Sequence, residues 1–200
     1  MLNLNSFNAR GLADGNKRRT VFKWLKSFHS GIVLLQETHS HKSTEKEWER
    51  DWGGSIYFSH GSTSARGVAI LFPHTLQATV IDMVTDCEGR FLSLNVNIGE
   101  IELFLINAYA PTKDKEDKQV EFLTFLRNHI CEISDKNILM GGDLNVYLNP
   151  ELDKKGGTKT QLSKYGNAVH EFIEDFNLSD VWRTIYPSMK QYTWRGNTRQ

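Results

Sequence analysis

Residues 137–148 read NILMGGDLNVYL, and how this stretch is read decides the fold. Ile138, Leu139 and Met140 are apolar without a break, which suits a short strand buried on both faces. Gly141 and Gly142 follow, then Asp143 and Asn145. A strand that ends on a carboxylate and an amide delivers them to the rim of a sheet, where the backbone is fixed and the side chains meet solvent. Taken alone, the pair could equally close an Asx turn. The two glycines are expected to let backbone and substrate approach closely.

Outward from this stretch the pattern repeats. Strands are expected at 2–8, 32–36, 55–60, 67–72, 76–84, 90–98 and 101–109, with Gly99-Glu100 as a two-residue hairpin turn. Helices are expected at 16–28, with Val21, Trp24, Leu25 and Phe28 on one face, and at 44–52, ending before Gly53. Two more fit 114–134, with Phe122, Leu126, Ile130 and Ile133 aligned, and 162–176, with Val169, Phe172, Ile173 and Phe176 aligned. A last strand is expected within 180–196. Many strands and few helices favour an α+β fold with two packed sheets over a doubly wound parallel sheet.

Four strand ends then carry oxygen donors: Asn8, Glu37, Asn107 with Tyr109, and Asp143 with Asn145. Such a set suits Mg²⁺, which takes one or two carboxylates, keeps waters and accepts phosphate oxygens. Each residue also has a plainer reading: Asn8 as a turn cap, Glu37 as the start of a loop, Asn107 as a satisfied buried amide. His39 and His41 flank no third His or Cys, so they do not make a zinc site. Neither a P-loop nor a G-x-S-x-G elbow is present, which removes a nucleotide-cradle and a serine-hydrolase reading.

The 200 residues carry 24 basic and 24 acidic side chains, so any polyanion partner must be met by a local patch or a bound cation. Lys17-Arg18-Arg19 and Lys154-Lys155 follow two of the strands and could form such a patch. Trp182, Tyr192 and Trp194 could offer a flat surface to a base or sugar. Two cysteines, Cys87 and Cys131, are too few for a disulfide framework and point to a reducing compartment. No membrane span or signal peptide is read.

SFNARGL (6–12), VLLQET (33–38), INAYAP (106–111), GGDLNV (141–146) and DVWR…YTW (180–194) resemble, in order, five blocks of the endonuclease/exonuclease/phosphatase superfamily. LDKKGG (152–157) and DVWRTIYPSMKQYTW (180–194) bring the resemblance closest to the apurinic/apyrimidinic-like endonuclease of LINE-type non-LTR retrotransposons. The resemblance implies one domain over 1–200 with a four-layer, deoxyribonuclease-I-like α/β sandwich of two mixed sheets flanked by helices. It implies Mg²⁺, with Mn²⁺ as the alternative, held by Glu37 with Asn8 beside it. Asp143, Asn145, Tyr109 and Asn8 would form the catalytic set. Asn107, Arg10, Lys154, Lys155 and Trp194 are the candidates for substrate contact. The partners implied are DNA and a downstream reverse transcriptase, in the nucleus or cytoplasm.

The family pattern continues with S-x-x-D-Y and a terminal S-D-H, whereas the sequence ends at Gln200. The last strands are therefore expected to be missing and the 200 residues to be weakly active or inactive. The alternatives are a phosphatase of the same fold, acting on inositol or lipid phosphates, and a non-catalytic nucleic-acid-binding remnant.

Overall fold

The computed structural model describes residues 3–28, 31–62, 64–112, 115–133, 135–156 and 161–193. The chain forms two compact units, one of residues 1–110 with 134–144 and the other of 111–133 with 145–200.

The first unit holds β1 (Leu4–Asn8), α1 (Gly15–Ser27), β2 (Ile32–Gln36), α2 (Glu45–Trp52), β3 (Gly54–Ser59), β4 (Val68–Pro73), β5 (Ala78–Thr85), β6 (Phe91–Ile98), β7 (Ile101–Tyr109) and β8 (Ile138–Asp143). Two four-stranded sheets result, in the orders β1-β2-β4-β3 and β5-β6-β7-β8. Each is mixed. β1 runs parallel to β2, β7 runs parallel to β8, and the remaining pairs are antiparallel.

The period-2 pattern of β2 explains the layering. Ile32 and Leu34, with Ile70 of the same sheet, face the second sheet and pack with its Leu92, Leu94 and Leu105. Val33 and Leu35 face the other way, onto Phe22, Leu25, Trp48 and Trp52 of α1 and α2. Each of these side chains contributes about 2 kcal/mol by leaving water. The hairpin at Gly99-Glu100 pairs Ile98 with Ile101, as its two-residue turn requires. β8 is half-buried along its length rather than fully buried, because it is the edge strand of its sheet.

The helix α1 begins where Asp14 accepts a hydrogen bond from the Lys17 backbone N–H at 2.7 Å. Its buried stripe is Arg18, Phe22 and Leu25. Trp24 and Phe28, expected in the core, are exposed and pack on one another at 4.9 Å between ring centres, with Phe7 5.2 Å from Trp24. The apolar face is thus turned by about one position, because a charged residue has entered it. Arg18 lies over the Trp48 ring and pairs with Asp51 at 2.7 Å. Its charge is met there, so it is not part of a basic rim. α2 stops at Gly53, whose φ of 72° lets its N–H return to Glu49.

The glycines of the opening stretch serve packing between strands. A Cβ at Gly142 would lie 1.9 Å from the carbonyl oxygen of Ala108, and one at Gly141 would lie 2.7 Å from Leu34. Their missing side chains admit the β7 backbone and Leu34, which is the close backbone approach expected of them.

The second unit contains α3 (Glu116–Glu132), α4 (Lys164–Asp175) and α5 (Val181–Ile185). Phe122, Leu126 and Ile130 are buried on α3, and Val169 and Phe172 on α4, as their spacing requires. Arg127 joins the two helices through an ion pair with Asp175 and lies over Phe172. The strand expected within 180–196 is replaced by a helix at 181–185, followed by irregular chain to residue 193. Asp180 caps that helix by accepting from the Arg183 N–H, and the rings of Trp182 and Tyr186 meet one turn apart at 4.4 Å. The guanidinium of Arg183 then donates to the carbonyls of Tyr186 and Met189, bending the chain away from a strand.

Gly142→Ala is expected to destabilise the protein by about 3 kcal/mol, since neither the φ of 141° nor the Ala108 carbonyl tolerates a methyl group. Urea unfolding measures this. A midpoint equal to that of the parent would show that β7 and β8 are not so closely apposed.

Candidate active site

Two parallel strand pairs have their carboxyl ends on the same rim of the first unit. Register sets Asn8 beside Gln36 and Tyr109 beside Asp143. Behind that rim the sheets are joined by amides. The Asn107 side chain, fully buried, donates to the carbonyls of Leu35 and Ala69 at 2.9 Å each, across the gap between the sheets. Its oxygen accepts from Gln36 Nε2 at 2.8 Å, and Gln36 also donates to Ser6 Oγ at 3.1 Å. Asn107 therefore does not reach substrate. It is the satisfied amide of the plainer reading, and it fixes the strands that carry the site.

On the rim itself, one nitrogen joins two carboxylates. Asn8 Nδ2 donates to Glu37 Oε1 at 2.8 Å and to Asp143 Oδ2 at 3.0 Å. The Asn8 oxygen is turned away and accepts from the Arg10 N–H at 3.1 Å. Tyr109 donates its hydroxyl to the same Glu37 oxygen at 2.9 Å. Burial pushes the Tyr109 hydroxyl well above the ordinary tyrosine range, and the hydrogen bond to Glu37 and the Glu37 charge push it the same way. It stays a proton donor at neutral pH.

The loop after β2 carries Glu37 in a left-handed conformation, φ 51°, with His39 at φ 53°. Such strain persists only where the surroundings impose it. Here the Thr38 N–H donates to the Gly67 carbonyl and the His39 N–H to that of Arg66, at 3.0 and 2.9 Å. From the other side, Thr38 and Ser40 hydroxyls meet at 2.9 Å, Ser40 meets His60 Nδ1 at 2.9 Å, and His60 Nε2 meets Glu45 at 2.8 Å. Because Glu45 only accepts, a neutral His60 accepts from Ser40. Ser40 is buried, so this relay braces the loop and does not present a nucleophile.

The basic residues next to β1 are engaged locally. Lys17 donates to the carbonyls of Ala9 and Arg10, which leaves Arg10 as the exposed cation of that loop. In the second unit, Asn145 adopts a left-handed φ of 52°, Lys154 sits 5.7 Å from the Tyr147 ring centre, and Lys155 is exposed. Trp194 lies outside the described residues, and Tyr192 is half-buried.

Glu37 and Asp143 accept from one nitrogen, so their oxygens stand no further apart than those two bonds laid end to end. Two carboxylates at that spacing fit Mg²⁺, which needs few protein ligands. Among the described residues no group of three or more His, Cys, Asp or Glu side chains could hold a metal. His39 packs instead against Gly11, where a Cβ would come within 2.8 Å of the ring. Because Asn8 offers its nitrogen to both carboxylates, it sets their spacing. Sequence reasoning passed over Gln36, His60 and Arg90, the last stacked 5.2 Å from the Tyr109 ring. Arg90 had a signal: Asp86-Cys87-Glu88-Gly89 is a tight turn, which fixes whatever residue follows it.

On this rim two carboxylates linked through one amide stand beside a protonated phenol. The Endonuclease/Exonuclease/phosphatase family matches residues 2–199, and the chain belongs to it. It is 29% identical over 194 residues to the Transposon TX1 uncharacterized 149 kDa protein of Xenopus laevis, covering 96% of this chain and 14% of that one. Its fold is that of an AP endonuclease from Archaeoglobus fulgidus, with TM-score 0.78 and 21% identity over 99% of this chain and 79% of the other. The AP endonuclease LMAP from Leishmania major gives TM-score 0.75 and 16% identity over 94% and 70%. The Xenopus laevis APE2 catalytic domain gives 0.74 and 19% over 92% and 72%.

The raised Tyr109 value has a sign that can be measured. The folded state holds this proton more tightly than the unfolded chain, so the stability it confers is present below about pH 10 and is lost as the pH rises beyond it. The phenolate absorbance of the parent minus that of Tyr109→Phe is expected to stay flat through about pH 10–11, where an ordinary tyrosine ionises. A rise beginning near pH 10 would show a solvated, unbonded hydroxyl.

Proposed function

We propose that the chain is a Mg²⁺-dependent phosphodiesterase that nicks DNA, serving as the nuclease module of a retrotransposon-encoded polypeptide. The observation that carries this reading is the single Asn8 amide holding Glu37 and Asp143 together at the end of two parallel strand pairs. Likeness to a transposon protein supports DNA as the substrate, and the relative's much greater length supports a larger polypeptide, in which a reverse transcriptase would be the partner. The family match across both units supports reading them as one catalytic domain. Action on DNA places the work in the nucleus, or in the cytoplasm for a polypeptide still in transit.

In this reading Glu37 would hold the cation, with Asn8 beside it fixing the spacing of Glu37 and Asp143. Bound Mg²⁺ supplies a Lewis acid that neutralises charge on the phosphoryl oxygens. Asp143 orients the attacking water and accepts its proton. Tyr109, kept protonated, turns its hydroxyl from Glu37 toward a phosphoryl oxygen as charge builds there. Asn145 holds the scissile phosphate or the water. Arg10, an exposed cation beside the rim, contacts the flanking strand, and such a contact adds affinity and register without base readout.

Relaxation of supercoiled plasmid in Mg²⁺ tests the proposal against matched variants, so the ratio decides whatever the absolute rate. Asp143→Asn is expected to slow nicking about 10²–10⁴-fold. Glu37→Ala is expected to abolish both nicking and Mg²⁺ binding by calorimetry. Faster hydrolysis of a soluble phosphate monoester than of DNA would make the protein a phosphatase of the same fold. DNA affinity without Mg²⁺ binding would make it a non-catalytic module.

A further inference from the structure

A pair of arginines beside the candidate active site shares one acid. Arg66 Nη1 lies 2.8 Å from Glu88 Oε2, and Arg90 Nε lies 3.2 Å from the same oxygen. Two cations on one carboxylate leave a net positive charge. Arg90 is otherwise committed: its Nη1 donates to the Tyr109 carbonyl at 3.3 Å, its guanidinium covers the Tyr109 ring, and its N–H donates to Asp86 at 2.9 Å. Arg66 is not. Its Nε is buried with no acceptor, although a guanidinium has five N–H donors to satisfy.

The backbone beneath Arg66 belongs to the site. Its carbonyl accepts from the His39 N–H, two residues beyond Glu37, and its own φ is 68°. Gly67 then donates to the Gly89 carbonyl at 2.9 Å, which ties the Arg66 turn to the Glu88 turn. A Cβ at Gly89 would lie 2.3 Å from the Gly61 nitrogen, so the turns are also in close contact. The backbone from which the Arg66 side chain leaves is therefore fixed, and Glu88 is the more exposed member of the pair. As a stabilising device this arrangement is poor. Glu88 is more than half exposed, and ion pairs of that kind contribute little to stability. The partly exposed end of the Arg66 guanidinium, which meets one oxygen of an exposed carboxylate, is suited to a phosphate, which offers more oxygens than Glu88 does.

We propose that Arg66 contacts a phosphate of the bound strand next to the scissile one, and that Glu88, anchored by Arg90, occupies this subsite in the free protein and must be displaced by the incoming phosphate. The inference rests on the reading of the protein as a DNA-cleaving enzyme. It gives the site a built-in competitor: a weakly bound carboxylate that a single phosphate outbids only when further contacts along a strand assist it. An isolated small phosphate ester gains less from displacing Glu88 than a polynucleotide does.

Fluorescence anisotropy of a labelled duplex oligonucleotide in EDTA, titrated from about 50 to 200 mM KCl, separates this contact from catalysis. Arg66→Ala is expected to weaken binding, with the slope of log K against log salt shallower by about 1. Arg66→Lys should keep the parent slope, because it keeps the charge. Glu88→Gln should bind DNA several-fold more tightly at low salt. Unchanged slope in Arg66→Ala, or no tightening in Glu88→Gln, overturns the inference while leaving the proposed function in place. Failure of the parent to bind DNA overturns both. Should Arg66→Ala melt early, Arg66→Lys and the exposed Glu88→Gln decide the matter.

Discussion

The buried amide pair of Gln36 and Asn107 is the constraint on which the architecture depends. It is the polar contact between two otherwise greasy sheet faces, and Asn107 spends both N–H donors on carbonyls of the opposing sheet. Leaving any of these groups unpaired would cost about 1–3 kcal/mol. β2 and β7 face each other from different sheets, so sliding one along the other would break these bonds together. The two strands are therefore locked in both register and separation. Glu37 lies one residue beyond one half of this lock and Tyr109 two beyond the other, so the 2.9 Å bond between them is inherited from the core.

Outside the lock, the rim trades regular structure for strain. Arg10, Glu37, His39 and Arg66 all take left-handed backbone conformations, in the loops after β1 and β2 and just before β4. Each is an unfavourable choice for a residue with a side chain. Glycine packing among Gly61, Gly67 and Gly89, together with the Thr38–Ser40–His60–Glu45 relay, holds these loops where the strands leave them. Rigid sheets fix the reach of the site and strained loops fix its aim.

Much of this was legible in the sequence because it follows from local patterns. The eight strands and the first four helices announce themselves by apolar period and turn residues. The rim followed from acids and amides placed at strand ends. What was hidden depended on partners distant in sequence. The α1 stripe was read one position off because Arg18 looks polar, and only Asp51 and Trp48 make it a core residue. Residues 180–185 have a strand-like composition, yet a local cap at Asp180 makes them helical. Gly141 and Gly142 promise close approach, but that the approaching groups include Leu34 and the Ala108 carbonyl needs the fold. The role of Asn8 was only half visible. Its place beside a carboxylate could be inferred, but its sharing between two carboxylates needed the approach of β1 and β8.

That sharing has a consequence for how the protein is made. Asn8 and Asp143 are 135 positions apart, and the bond between them closes most of the chain into one loop. Contacts of such separation form late, after the entropy of closure has been met by shorter-range packing. During synthesis the first sheet, with β1, β2, β3 and β4, can assemble while the second is still in the ribosome. The rim remains half-built until the glycine pair and Asp143 emerge and β8 docks. A nascent chain thus exposes Glu37 and Tyr109 without Asp143, and the rim is completed at one late step of folding instead of growing gradually with length.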